Sequence, residues 1–487
     1  MTQLHKLTAQ QTITKIKSNE VCALECVEAV FEQIHKVEDK INAYVTLVEE
    51  QALSKAKEIY KKISEGKTIG KLAGVSIAIK DAICTKGITT TCSSRMLENF
   101  IPPYNAEVID RIKQADGIII GKTNMDEFAM GSSTETSYFG PTLNPWDNLR
   151  VPGGSSGGSA ACIATNEAVL SLGTDTGGSI RCPASYCSVV GLKPTYGLVS
   201  RYGLIAYANS LEQIGPMAKD VYDCALFLSV IAGHDKKDGT SVNEVSKDYT
   251  QYLNNDVKGL KIGVPKEFFG EGTNADVKKQ VWKAIHKFEE LGAVYEETSL
   301  PSLEQALATY YIVAMSEASS NLARFDGLRY GYRVEKDEAD WATVYSQNRK
   351  IGFGAEVRRR IILGTYALSA GYYSKYYLKA LKVRTLIRKN FEEAYKKFDV
   401  IVGPTMPFPP FKIGEKIEDP LQLYMSDVDT VPANLAGLPA ISIPCGFTKG
   451  LPVGLQIMAP HLREDITLQV AYTFEQNTDF NKVKPEL

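Results

Sequence analysis

The sequence lacks the segments that direct proteins into or across membranes. No apolar run approaches the roughly 20 residues that are needed to cross a bilayer. Residues 1–20 contain neither an apolar core nor a cleavage signal for export. The first arginine of the chain is Arg95, so an arginine-rich transit peptide is also absent. We therefore expect a cytoplasmic protein.

Histidine is scarce, and the cysteines form no recognisable pairs. The five histidines and nine cysteines are scattered along the chain, and no two cysteines have the C-x-x-C spacing. An odd number of scattered cysteines is typical of reduced, mostly buried thiols. This pattern argues against a disulfide framework and against a zinc site, so no metal is predicted.

Neither sign of charge is in large excess. The 487 residues carry a net charge of −2, so no global field draws the chain to nucleic acid or to an anionic membrane. A local basic patch remains possible. The apolar fraction of 44% and the charged fraction of 23% are those of an ordinary globular protein.

Helical and strand patterns alternate along the chain, which predicts an α/β architecture. Residues 1–65 have the apolar spacing of helices, and residues 75–79 form a short apolar strand that ends at Lys80. Residues 303–397 are mostly helical. Because the sequence has neither an internal repeat nor a low-complexity linker, a single domain over residues 1–487 is favoured over several.

Residues 117–123, with the sequence GIIIGKT, resemble a phosphate-binding loop. That loop needs four residues between its glycines, and this segment has three. The spacing decides which backbone N–H groups converge on phosphate. The segment is therefore predicted to be a strand end followed by a turn.

Two segments rich in glycine and serine, residues 153–159 and 173–181, are predicted to meet at one edge of the sheet. A flexible linker would be followed by polar sequence, but residues 160–164 are small and apolar. A helix of about 10 residues runs about 15 Å away, and a strand of about 5 residues runs about 17 Å back. If the strand before Lys80 is parallel, Lys80 reaches the same edge.

A lysine and serines from two loops can form a hydrolase site that needs no histidine. Burial lowers the pKa of a lysine, and a neutral Lys80 could take a proton from one serine, which takes one from the next. The backbone N–H groups of the segment DTGGS could hold an oxyanion. The alternatives are a solvated lysine and ordinary turns, which are common for such residues.

The motifs GVSIAIKD, GGSSGGSAA and GTDTGGSIRCPAS occur in this order and resemble the amidase signature family. The resemblance covers nearly the whole chain and implies a large central mixed β-sheet covered by helices on both faces. It assigns the catalytic lysine to Lys80, the cis-serine to Ser155 and the nucleophile to Ser179. It also implies a signature region at residues 70–220 and a helical substrate-pocket region at residues 300–440. The implied oxyanion hole consists of the backbone N–H groups of Thr176, Gly177, Gly178 and Ser179.

Within this family, residues 316–331, 353–373 and 434–446 resemble the branch that works in aspartyl/glutamyl-tRNA amidotransferases. The branch implies a glutaminase that passes ammonia to a partner, with B and C subunits completing a heterotrimer. The partner uses ATP with Mg²⁺ to amidate Glu-tRNA(Gln) or Asp-tRNA(Asn), and this chain holds no cofactor of its own. The sequence does not decide between the two tRNAs.

The same branch implies a charged pocket for glutamine, because an arginine suits the α-carboxylate and an acid suits the α-ammonium. These roles fall on Asp427 and on Arg360, which the spacing favours over Arg359. Asp429 departs from the branch, which usually has an apolar residue there. A free-standing amidase acting on small amides is the enzyme alternative, and an inactive scaffolding protein is the third. The paired charges and the intact catalytic motifs favour the glutaminase.

Overall fold

The computed structural model describes residues 3–244, 246–334 and 340–486. Within these ranges the chain forms eleven strands and fifteen α-helices. The strands are β1 (Tyr44–Leu47), β2 (Ser76–Lys80), β3 (Ile118–Thr123), β4 (Leu170–Asp175), β5 (Val190–Lys193), β6 (Gln213–Ala218), β7 (Lys261–Pro265), β8 (Val294–Thr298), β9 (Val400–Pro404), β10 (Ala440–Thr448) and β11 (Leu451–Met458). The helices are α1 (Ala9–Lys17), α2 (Ala23–Ile41), α3 (Glu49–Ser64), α4 (Glu107–Gln114), α5 (Gly157–Ala164), α6 (Arg181–Cys187), α7 (Val221–Ile231), α8 (Ala275–Glu290), α9 (Ala306–Asn321), α10 (Trp341–Gly352), α11 (Ala355–Leu368), α12 (Tyr377–Ala394), α13 (Pro420–Tyr424), α14 (Val431–Ala436) and α15 (Glu464–Gln476).

All eleven of these strands join one sheet in the order β1-β3-β2-β4-β6-β5-β10-β11-β9-β7-β8. The pairs β2–β3, β2–β4, β7–β8 and β7–β9 are parallel. The remaining neighbours are antiparallel. Helices flank the sheet, and the predicted α/β fold with a large mixed sheet is confirmed. No described helix is both long and apolar enough to span a bilayer.

The parallel pairing of β2 and β4 brings the two Gly/Ser-rich segments to the end of the strand that carries Lys80. Ile79 lies beside Leu172 in the register, so Lys80 ends its strand next to the start of the second segment. Helix α5 leaves from the first segment, and β4 returns the chain to the same edge. The predicted convergence follows from this β-α-β path.

Two local predictions are wrong. Residues 44–47 form the edge strand β1 inside the stretch predicted to be helical. Helix α2 ends at Ile41, its C-cap Asn42 has φ +56°, and the following residues favour extended structure. The segment GIIIGKT does not turn after its second glycine, because β3 continues through Thr123. Lys122 is buried within that strand and donates hydrogen bonds to Ile83 O at 2.8 Å and to Thr90 Oγ1 at 2.7 Å.

Helices α9 and α11 pack closely together in the helical region before β9. Gly364 of α11 makes this approach possible, since a Cβ atom there would lie 1.9 Å from the Met315 carbonyl oxygen of α9. The close approach fixes the inner side of α11 against α9.

Candidate active site

Lys80 lies fully buried at the end of β2 and is surrounded by hydroxyl groups. Its Nζ donates to Ser155 Oγ at 2.7 Å, to Ser156 Oγ at 2.8 Å and to Thr174 Oγ1 at 2.8 Å. Burial lowers the pKa of Lys80 from 10.5 to about 7, and the charge of Asp126 opposes part of this shift. A substantial fraction of Lys80 is therefore neutral near pH 7.

The first Gly/Ser-rich segment is buried along residues 151–160 and is not an exposed linker. The peptide bond between Gly154 and Ser155 is cis. A Cβ atom on Gly154 would lie 2.0 Å from Asp126 Oδ2, so only glycine fits there. The N–H of Ser156 donates to Ser179 O at 3.1 Å, which joins this segment to the second one. The two predicted catalytic serines, Ser155 and Ser179, therefore belong to loops that are joined by a backbone hydrogen bond.

The second segment is shaped by the buried carboxylate of Asp175. This carboxylate accepts hydrogen bonds from the N–H groups of Gly178 at 2.8 Å and Ile180 at 3.2 Å, and from Arg181 Nε at 3.0 Å. Burial alone would raise the pKa of Asp175, but the Arg181 guanidinium, together with Lys193 and Asn434, outweighs burial and holds that pKa well below its usual range. The charged pair holds the loop before α6 in one conformation.

Gly178 differs from the other three residues whose N–H groups are predicted to form the oxyanion hole. Its N–H already donates to Asp175, because the aspartate side chain folds back over the loop. Among the described residues, by contrast, no acceptor takes the N–H groups of Thr176, Gly177 and Ser179. These three N–H groups remain available to an anion.

Access from solvent differs among the three predicted catalytic residues. Ser179 keeps 7% of its surface exposed, whereas Lys80 and Ser155 have none. A ligand can therefore reach Ser179 without reaching Lys80. Cys182 lies nearby, but burial raises the pKa of its thiol well above the usual value, which keeps the thiol protonated.

Arg360 lies on the inner side of α11 with 2% of its surface exposed. Its Nε donates to Glu356 Oε1 at 2.7 Å, and its Nη1 donates to Tyr207 Oη at 2.7 Å. Its Nη2 has no hydrogen-bond partner among the described residues. The rings of Tyr207, Tyr311 and Tyr424 surround the guanidinium, with centroids 5.3–5.6 Å from Cζ. The buried cation thus keeps one free donor group.

Asp427 shares this pocket through Tyr311. Its carboxylate accepts hydrogen bonds from Tyr311 Oη at 2.6 Å and from Ser132 Oγ at 2.8 Å. Burial raises the pKa of Asp427 to about 6. The Thr430 hydroxyl contacts both Gly177 O at 2.6 Å and Asp427 O at 3.1 Å. The charged pocket therefore adjoins the loop that carries Ser179.

A model of the Amidase family matches residues 25–468. The chain belongs to this family. It is 61% identical over 471 residues to the A subunit of glutamyl-tRNA(Gln) amidotransferase from Methanosarcina barkeri, covering 97% of both chains. It is 56% identical over 484 residues to the protein of the same name from Desulforamulus reducens, covering 99% of this chain and all of the relative. The crystal structure of the same A subunit from Thermotoga maritima is similar with a TM-score of 0.82 and 40% identity, covering 98% of this chain and 96% of the other.

These matches confirm the resemblance to the amidase signature family and to its tRNA amidotransferase branch. Arg359 and Arg360, the two arginines considered for the glutamine carboxylate, differ sharply in their surroundings. The Arg359 side chain is 39% exposed and pairs with Glu356, whereas Arg360 is buried in the pocket with a free Nη2.

The departure at Asp429 places a second buried carboxyl group near Asp427. Asp429 is buried, and its Oδ2 has no hydrogen-bond partner in the described part of the chain. Burial raises the pKa of Asp429 well above its usual value, which favours the neutral carboxyl group. No group of three or more His, Cys, Asp or Glu among the described residues could hold a metal ion.

Sequence reasoning missed several side chains of the charged pocket. These are Ser132, Tyr207, Tyr311, Glu356 and Tyr424. They come from five separate segments of the chain, and no local motif marks them. Two of them, Tyr311 and Tyr424, stack with centroids 4.1 Å apart. The packing of α9 against α11 brings Tyr311 to Arg360, and Tyr424 reaches it from α13.

Proposed function

We propose that this chain is the glutamine-hydrolysing subunit of a tRNA-dependent amidotransferase. Its ammonia passes to a cytoplasmic partner that uses ATP with Mg²⁺ to amidate a mischarged tRNA. The partners are the B and C subunits of a heterotrimer. The names of the relatives support Glu-tRNA(Gln) as the final substrate. The observation that carries the proposal is a buried lysine with a pKa of about 7 that lies 2.7 Å from Ser155.

In the first step, Ser179 Oγ attacks the side-chain carbonyl carbon of glutamine. The Ser179 proton moves to Ser155 Oγ as Ser155 passes its own proton to neutral Lys80. The carbonyl π electrons move to oxygen and produce a tetrahedral oxyanion. The short Lys80–Ser155 hydrogen bond supports the second of these two transfers, because a proton travels readily only between groups within hydrogen-bond reach.

The oxyanion is held by the N–H groups of Thr176, Gly177 and Ser179. These groups have no other acceptor among the described residues, so no existing hydrogen bond must break. Gly178 acts indirectly, since its N–H on Asp175 keeps the loop in shape. Preorganised donors of this kind commonly supply the largest share of catalysis.

The tetrahedral intermediate then expels ammonia, which takes back the proton through the same relay. The C–N bond breaks, and a glutamyl ester with Ser179 Oγ remains. A water molecule gives a proton to the relay and attacks this ester, which releases glutamate and restores Ser179. Lys80 is neutral at the start of both ester formation and ester hydrolysis, as its lowered pKa allows.

The charged pocket supports free glutamine over a neutral amide as substrate. The free Nη2 of Arg360 suits the α-carboxylate, and the carboxylate of Asp427 suits the α-ammonium. A small neutral amide would leave Arg360 Nη2 without an acceptor and Asp427 without a cation. This observation disfavours the free-standing amidase, although it shares the same serine chemistry.

Ammonia release by the purified chain tests the proposal. We expect weak glutamine hydrolysis by the chain alone and faster hydrolysis when the companion subunits, ATP and Glu-tRNA(Gln) are present. Full-rate hydrolysis that the companions leave unchanged would favour the free-standing amidase. An electrophilic glutamine analogue should add its mass to the peptide with Ser179 in the wild type and not in Ser179→Ala. Modification of Cys182 instead would contradict the serine assignment.

A further inference from the structure

A long stretch of this chain carries only positive charge. Residues 357–391 contain nine arginines and lysines and no aspartate or glutamate, in a protein whose net charge is −2. Arg360 is buried in the charged pocket and Arg384 is half-buried, while most of the others are exposed. The nine are Arg358, Arg359, Arg360, Lys375, Lys379, Lys382, Arg384, Arg388 and Lys389. The stretch covers most of α11, all of the following turn and most of α12.

Helix α11 has two sides with different neighbours. The inner side carries buried Glu356, Arg360, Gly364 and Ala367, which face α9 and the charged pocket. The outer side carries a second stripe with the i, i+3, i+4, i+7 spacing of one helix face: Arg359, Ile362, Leu363 and Tyr366. Ile362 is 68% exposed and Leu363 is 43% exposed. An amphipathic helix normally buries such a stripe.

Tyrosines extend the apolar stripe across the turn. The ring of Tyr366 lies 4.5 Å from that of Tyr372 and 5.9 Å from that of Tyr376. Tyr373 is exposed beside them. We call Ile362, Leu363, Tyr366, Tyr372, Tyr373 and Tyr376 the α11–α12 face. Two exposed lysines lie next to this face in the sequence, Lys375 just before Tyr376 and Lys379 three residues after it.

The geometry points to the α11–α12 face as the docking surface for a companion protein subunit that presents an apolar centre ringed by carboxylates. This inference rests on the proposed function. Exposed aliphatic side chains together with tyrosines and arginines are typical of protein interfaces. The cationic surroundings select an acidic partner.

RNA is a poorer match for the same surface. Stacking on RNA requires free aromatic faces, but Tyr366, Tyr372 and Tyr376 lie against one another. Ile362 and Leu363 also offer nothing to a phosphate backbone. The observations therefore favour a protein over a nucleic acid.

Docking on this face would act on the glutamine pocket through one helix. Ile362 is two residues from Arg360, and the two side chains lie on opposite sides of α11. A partner that holds the outer stripe favours the conformation in which Arg360 meets the substrate carboxylate. Docking therefore raises glutamine affinity, which gives hydrolysis a dependence on the partner.

The test compares Ile362→Glu with Leu149→Glu, because Leu149 is 70% exposed outside the α11–α12 face and serves as a matched control. Binding of each variant to the co-expressed companion subunits is measured by titration, together with glutaminase activity of the isolated chain. We expect Ile362→Glu to weaken binding about thirtyfold, as loss of a hot spot does, and to keep the basal glutaminase activity. Its stimulation by the companions should return at high companion concentration. Leu149→Glu should change none of these.

Lys375→Glu should weaken binding as well and should flatten its dependence on salt. Unchanged binding of Ile362→Glu and Lys375→Glu would overturn the docking face, even if the chain proves to be a glutaminase. Loss of tRNA binding by the isolated chain in Lys375→Glu would assign the face to RNA instead. Self-association of the wild-type chain that Ile362→Glu abolishes would assign it to a second copy. Absence of glutaminase activity in every form would instead overturn the proposed function.

Discussion

The protonation of Lys80 sets the pH dependence that glutamine hydrolysis should follow. Burial lowers the pKa of this lysine from 10.5 to about 7, so about half of it is neutral at pH 7. A lysine with the ordinary pKa of about 10.4 would be neutral in only about one molecule in 2,500 at that pH. Burial therefore raises the population of the active base by about three orders of magnitude.

The fraction of neutral Lys80 leads to two predictions. Between about pH 6 and 7, kcat/KM for glutamine should rise about fivefold, and it should level off above pH 7, since this ratio reports the free enzyme. Below about pH 6 the dependence should be steeper, because protonation of Asp427 also weakens glutamine binding. Lys80→Arg keeps a cation that cannot deprotonate and should lower kcat by about 10²–10⁴-fold. Lys86→Arg, at an exposed position, is the matched control and should keep both rate and profile.

Ammonia release under steady-state conditions, with a thermal unfolding curve for each variant, checks both expectations. A flat kcat/KM between pH 5.5 and 8.5 would show that Lys80 does not act as a neutral base. Near-normal turnover by a folded Lys80→Arg variant would refute the proton relay through Ser155.

Three further predictions concern other buried groups. Arg360→Ala and Asp427→Asn should each raise KM for glutamine about tenfold to a hundredfold, and hydrolysis of a small neutral amide should change less; equal losses would indicate a structural role. Because burial raises the pKa of Asp427 to about 6, KM for glutamine should rise below that pH in the wild type but not in Asp427→Asn. Gly177→Ala should lower kcat about a hundredfold, because its Cβ would lie 2.5 Å from Tyr310 Oη; an unchanged kcat would exclude this N–H from the oxyanion hole. Burial raises the pKa of Glu475 from 4.5 to about 8, so the wild-type free energy of unfolding should fall as pH rises through this window. In urea titrations Glu475→Gln should show a smaller fall, because Asp223, whose pKa burial also raises to about 8, remains. A difference between the two proteins that does not vary with pH would contradict the prediction.

The sequence was sufficient to predict the convergence of Lys80 with the two serine-bearing loops. Helix and strand lengths decide where a β-α-β path returns, and the apolar run before Lys80 marks a buried strand. The α/β fold and the mixed sheet followed from the alternation of patterns and from the family motifs. The loop convergence and the fold could be predicted because they depend on short sequence segments and on the regular geometry of helices and strands.

Other features depend on partners that are distant in the chain, and no local pattern marks them. Nothing next to Tyr311 in sequence indicates that its hydroxyl donates to Asp427. The glycines of the oxyanion loop look equivalent in sequence, yet Asp175 takes the N–H of Gly178 and leaves that of Gly177 free. The strand β1 was missed because its four residues interrupt a long helical pattern and are stabilised by pairing with β3.

Three buried ionisable groups around the site show that partners, and not burial alone, decide their charge. Lys80, Asp175 and Asp427 all lie out of solvent. Lys80 donates to hydroxyls and a carbonyl only. The effect of desolvation therefore exceeds that of the surrounding negative charges, and the pKa of Lys80 falls to about 7. Asp175 faces the Arg181 guanidinium at 3.0 Å and stays ionised. Asp427 has hydroxyl donors and a more distant arginine, so its pKa rises only to about 6. Changing the hydrogen-bond partner of such a group should therefore change its pKa. A carboxylate within hydrogen-bond distance of Lys80 would keep the lysine charged, so that it could no longer act as a base, without any change in its burial.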